Sequence, residues 1–77
     1  MTAKEMFEEL GYRKVEWSFK ELAFQIEKEN ESFNWRRIEF NEDNKTLIVV
    51  YRKFNYGSLN MEEYKAIQKQ IEELGWE

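Results

Sequence analysis

The sequence predicts an α+β domain in two layers: a helix, a three-stranded antiparallel sheet and a second helix, with both helices on one sheet face. Three observations predict it. Met61, Tyr64, Ile67, Ile71 and Leu74 are spaced as one stripe of a 3.6-residue helix. Leu47-Ile48-Val49-Val50-Tyr51 is an apolar, largely β-branched run, the composition of a strand. Asn41-Glu42-Asp43-Asn44-Lys45 separates it from the aromatic-rich stretch Phe33 to Phe40. It is turn chemistry throughout, short enough to make the two an antiparallel hairpin.

At the start of the chain, Thr2 to Leu10 reads as a short helix. Thr2 serves as N-cap and Glu5 as its capping-box partner, while Ala3, Met6, Phe7 and Leu10 share one side. Gly11 stops it and lets Tyr12 reach back toward Phe7. Two to three turns do not persist alone, so this helix needs a surface to dock on.

Residues 13 to 32 carry two readings. Val15, Trp17 and Phe19 alternate, and Leu22, Phe24 and Ile26 alternate in the opposite phase. One reading is a strand from Leu22 to Glu27 preceded by a loose or bulged approach. The rival is a helix from Ser18 to Lys28, with Phe19, Leu22, Ala23 and Ile26 along one side and Ser18-Phe19-Lys20-Glu21 as its capping box. Strict alternation and the β-favouring aromatics tilt toward the strand. Glu29-Asn30-Glu31-Ser32 is a polar turn under both.

Phe33 to Phe40 and Thr46 to Lys53 form the hairpin. If its turn sets Phe40 opposite Leu47, Ile38 faces Val49 and Arg36 faces Tyr51. One face then carries Ile38, Phe40, Leu47, Val49 and Tyr51, and the other Trp35, Arg37, Glu39, Ile48, Val50 and Arg52. A one-residue slip would exchange Leu47 and Val49 for Ile48 and Val50, so the last strand is apolar on both faces in every register.

Asn55-Tyr56-Gly57-Ser58 leads to the final helix. Asn60 caps it, Glu63 closes the capping box, and Gly75 ends it so that Trp76 folds back onto Ile71. The expected core joins Met6, Phe7, Leu10, Tyr64, Ile67, Ile71 and Leu74 to Leu22, Phe24, Ile26, Ile38 and Phe40. Glu8-Glu9-Leu10-Gly11-Tyr12 is echoed by Glu72-Glu73-Leu74-Gly75-Trp76; nothing around the two repeats, so the echo reads as one helix-stop device used twice.

The two ends, Thr2 to Tyr12 and Met61 to Trp76, resemble the ends of a group of small uncharacterised proteins encoded in prophages and mobile elements of Gram-positive bacteria. The likeness covers roughly the first 12 and last 17 residues. It implies a strand-rich middle between two helices and no activity or site residues.

The chain has 77 residues, which make a single domain, 1–77. A domain this small buries only roughly 60% of its unfolded surface, so its stability leans on large side chains. Phe, Trp and Tyr make up 17% of the chain and are core material first. No cysteine is present to staple it, and the net charge of −4 argues mildly against general nucleic-acid binding. With no span-length apolar run and no signal-peptide pattern, no membrane association is expected and the cytosol is the expected compartment.

Absent residue types bound the chemistry. Without His or Cys, the usual neutral-pH acid–base group, the imidazole and thiolate metal ligands and the strongest nucleophile are all missing. Ser58 beside Gly57 reads as loop. Glu62-Glu63 and Glu72-Glu73 are helical neighbours whose side chains diverge by about 100°, which reads as solvated face. The turn Asn41 to Asn44 lacks the calcium-loop pattern, and three scattered glycines build no phosphate loop. No catalytic, cofactor or metal site is therefore expected.

The two-sided apolar strand points instead to binding. With both helices on one face, the other face would expose Trp35, Ile48 and Val50, unless the N-terminal segment or Val15, Trp17 and Phe19 fold over it. Trp35, Arg37, Ile48, Val50 and Arg52 are the candidate partner surface of a non-catalytic interaction or adaptor module. Its expected partner is an unknown protein or a second copy of the chain. Lys45, Arg52 and Lys53 flank the run as gatekeepers. Two alternatives stand beside this. Trp35, Arg37 and Arg52 could form a nucleic-acid platform, since five cations meet three anions between Phe33 and Leu59. A phage-type inhibitor of a host protein could use acidic helix faces as a nucleic-acid mimic.

Overall fold

The computed structural model describes residues 1–18, 21–27, 34–53 and 58–76, without the side chains of residues 16–18 and 21. The elements are α1 (Ala3–Glu9), β1 (Arg13–Ser18), β2 (Glu21–Glu27), β3 (Trp35–Asn41), β4 (Thr46–Arg52) and α2 (Met61–Leu74). The strands form one antiparallel sheet in the order β1-β2-β3-β4. Expectations for Phe19, the turn at 29–32, Phe33 and the loop at 54–57 fall outside the described residues.

The sheet has four strands where three were expected. The approach to Leu22 is itself the strand β1, pairing Arg13 with Gln25, Lys14 with Phe24 and Val15 with Ala23. Facing residues share a side, so Val15 lies on the side of Ala23, opposite to Phe24. The phase change in the apolar alternation is thus a change of face between two strands. The expected bulge is also present, as a register shift between Val15 and Ser18. Residues 21–27 are strand, not helix, and set Leu22, Phe24 and Ile26 opposite Phe40, Ile38 and Arg36. The hairpin takes the register Phe40–Leu47, Ile38–Val49 and Arg36–Tyr51. Its loop is closed by Asn41, whose Oδ1 accepts from the Asn44 amide at 3.1 Å, and by Lys45 in the left-handed region at φ 54°.

Both helices start with complete capping boxes, Thr2 with Glu5 and Asn60 with Glu63. Both end the same way. Gly11 (φ 97°) and Gly75 (φ 71°) take left-handed conformations. Tyr12 N–H then bonds the Phe7 carbonyl at 3.0 Å, and Trp76 N–H the Ile71 carbonyl at 3.2 Å. These are the bonds of a Schellman stop, so the sequence echo is one local device in two places. The helices run antiparallel: Ala3 N–H at the start of α1 donates to Glu73 Oε2 near the end of α2 at 2.8 Å, while Glu9 and Leu10 share a groove with Glu62.

The core joins Phe7 and Tyr12 to Phe24, Ile38 and Phe40 and to Ala66 and Ile67 of α2. Phe7 stacks on Phe24 with centroids 4.3 Å apart, and Trp76 closes the far end 6.1 Å from Phe40. The buried side of α2 keeps Ile67, Ile71 and Leu74 of the expected stripe but is rotated at its first turn. Glu63, Ala66, Ile67 and Gln70 face inward, whereas Met61 and Tyr64 are 65% and 51% exposed. Glu63 is drawn in by the buried Arg36, and this rotation turns Tyr64, expected in the core, toward solvent.

Candidate functional site

The two sheet edges, β1 and β4, are protected differently. β1 opens with Arg13 and Lys14 and carries a register break, two devices that discourage pairing with another chain. β4 runs in unbroken register against β3 from Thr46 to Tyr51. Its central five residues carry no charge, proline or bulge. Leu47 and Tyr51, on the side of Phe40, are 38% and 48% exposed, and Ile48, on the other side, is 53% exposed. Among the described residues, nothing pairs with its outer edge. Each end of the strand is set off by a residue in the left-handed region, Lys45 at φ 54° and Lys53 at φ 64°.

The face opposite Phe24 splits into two zones. Across β1 to β3 it carries a polar chain beside Val15 and the buried Ala23. Arg13 Nη2 donates to Glu27 Oε1 at 2.7 Å, as does Gln25 Nε2, and these two bonds hold the exposed Glu27 carboxyl below its ordinary pKa. Arg37 Nη1 donates to Gln25 Oε1 at 3.3 Å, and Arg37 Nε to Glu39 Oε2 at 2.6 Å. The Arg37 guanidinium also lies over the Trp35 ring, 5.2 Å from its centroid, a cation–π geometry. Beyond this chain lie Val50, opposite Arg37, and Ile48, opposite Glu39. The fold therefore brings Trp35, Arg37, Ile48 and Val50 onto one face as expected, with Arg52 exposed at the end of β4. Trp35 and Arg37 are engaged with each other, so among the described side chains of this face the exposed large apolar one is Ile48 of β4.

Sequence reasoning missed a buried polar cluster on the opposite side. Arg36 is fully buried and Glu63 and Tyr12 nearly so. Arg36 Nη1 and Tyr12 Oη both donate to Glu63 Oε2. Arg36 Nη1 also lies 3.4 Å from Tyr12 Oη, and Nη2 donates to the Ser58 carbonyl. Glu63 Oε1 meanwhile accepts from the Asn60 amide at 2.9 Å. Glu63 is therefore not solvated face, as its pairing with Glu62 suggested; only Glu62 is exposed. The signal that could have found this is the parity of Arg36 with Ile38 and Phe40, which puts a guanidinium on the core side and so demands a buried carboxylate.

This cluster ties β3 to the start of α2 and the segment before it. Both Glu63 oxygens are occupied, and burial together with the bond to Glu63 raises the Tyr12 phenol above its ordinary pKa of 10.0, against the opposing pull of Arg36. The groove lined by Met1, Met6, Glu9, Leu10 and Glu62 has a volume of about 140 Å³, below the ~300 Å³ at which small-molecule sites begin. Among the described residues, no three Asp or Glu side chains gather as a metal site, and no helix is long and apolar enough to cross a membrane. Comparison with family models, curated proteins and solved structures returns no match for this chain.

Proposed function

We propose that the protein is a non-catalytic protein-interaction module whose working surface is β4 and the apolar part of the face beside it. One observation carries this: β4 is an edge strand in unbroken register with an apolar centre, exposed on both faces and without the register break of its counterpart β1. Such an edge is a template for strand addition, in which main-chain bonds give affinity and alternate side chains give specificity. The position of Arg37 over Trp35 favours this over a nucleic-acid platform, because a stacking base would have to displace a cation already paired with Glu39. The resemblance of the two ends to prophage-encoded proteins supplies a genomic setting for the proposal, and the cysteine-free composition is compatible with the cytosol.

The test is Ile48→Glu, which puts a charge on an exposed position of the edge. The variant is expected to keep the circular dichroism spectrum and unfolding midpoint of the parent and to lose association, whether with itself or with a captured protein. Unfolding of the variant, or association unchanged by it, would remove the surface from consideration.

A further inference from the structure

We infer that the partner of β4 is a second copy of the chain, whose β4 adds antiparallel about a twofold axis through Val49 and continues the sheet to eight strands. This rests on the interaction reading above and names its partner.

The strand is self-complementary in the way such an axis requires. Residues equidistant from Val49 face each other, so Ile48 meets Val50 on one face, and Leu47 meets Tyr51 beside the Val49 pair on the other. These central cross-strand pairs are apolar, with Thr46 opposite Arg52 at each end, and side chains that are 38–53% exposed in the single chain, Leu47, Tyr51 and Ile48, gain a covering neighbour. An even register keeps like faces together, so the helices of both copies stay on one side of the joined sheet.

Charge selects the direction. One end of β4 adjoins the turn bearing Glu42 and Asp43 beside Lys45, and the other end carries Arg52 and Lys53. Antiparallel pairing sets the basic end of one copy against the acidic turn of the other. Parallel pairing would set each basic end against itself. Lys45 and Lys53 would oppose each other in the antiparallel ladder, but both stand in the left-handed region, where the backbone leaves the strand. The ladder thus stops before the like charges meet. β1 cannot serve as the complement, since Arg13, Lys14 and the register shift interrupt it.

The chain has no cysteine, so a single Val49→Cys has only a second copy to couple with. Facing residues of antiparallel strands stand ~4.5–5.5 Å apart at Cα, within disulfide reach. The wild-type chain of 9.6 kDa is expected to sediment at twice that mass. Val49→Cys is expected to convert to a covalent dimer under mild oxidation, Gln68→Cys on the exposed side of α2 to remain uncoupled, and Ile48→Glu to sediment as a monomer. A single-chain mass at every concentration would overturn self-pairing, as would a dimer that Gln68→Cys captures as readily as Val49→Cys. Self-pairing alone fails if the chain is monomeric yet still captures another protein through Ile48. The broader interaction reading fails with it if that capture is absent too.

Discussion

Arg36 of β3 donates to the same Glu63 carboxylate that closes the N-terminal cap of α2. One side chain thus satisfies a helix terminus with one oxygen and a buried cation with the other. Removing one partner of such a pair costs about 3–5 kcal/mol, because the other is left as an uncompensated buried charge. Arg36→Met and Glu63→Gln are each expected to lower the unfolding free energy in urea by about that much. Glu63→Gln keeps an acceptor for Asn60, so the double variant should recover most of the loss. A double variant as unstable as the sum of the two singles would mean that they act independently.

Tyr12 should mark the alkaline limit of stability. Its unfolded pKa is near 10.0 and its folded pKa lies higher. The native state therefore holds the phenolic proton after the unfolded chain has released it, and stability falls as pH rises beyond about 10, by up to about 1.4 kcal/mol per unit. Below that pH the contribution is constant. Tyr12→Phe loses about 1 kcal/mol at neutral pH with the hydrogen bond but should show a shallower alkaline decline. Urea midpoints measured across that pH range compare the two slopes.

The two helix stops should differ in tolerance. A Cβ at Gly75 meets nothing within 4 Å, so Gly75→Ala carries only the left-handed backbone cost of about 1–2 kcal/mol. At Gly11, with φ +97°, a Cβ would also stand 3.3 Å from Ile26 Cδ1. Gly11→Ala is therefore expected to lower the melting temperature more than Gly75→Ala.

Lys45 offers the opposite case. It holds φ 54° on a non-glycine residue in an exposed loop, so Lys45→Gly should stabilise the hairpin by up to about 1 kcal/mol in thermal unfolding.

What the sequence disclosed follows local rules. Thr2, Asn60, Gly11 and Gly75 act on neighbours three or four residues away, and the hairpin register follows from a short turn between two apolar strands. β1 was hidden because Val15 points away from the helices, so its alternation opposed that of Leu22, Phe24 and Ile26. The rotation of α2 was hidden because apolar spacing alone favours Met61 and Tyr64, whereas the demand of Arg36 for Glu63 arises only once β3 and α2 are packed together. The candidate surface was visible as a two-sided apolar run. Its narrowing to β4 depended on Arg37 covering Trp35, a contact between residues whose neighbours in space the sequence does not specify.

Amide hydrogen exchange at several protein concentrations tests the role of β4 most directly. If β4 pairs with a second copy, amides between Leu47 and Tyr51 on its outer edge gain protection as concentration rises, while those of β1 and α1 do not change. Exchange along β4 that is fast and independent of concentration, or protection that appears on the helices instead, would contradict it.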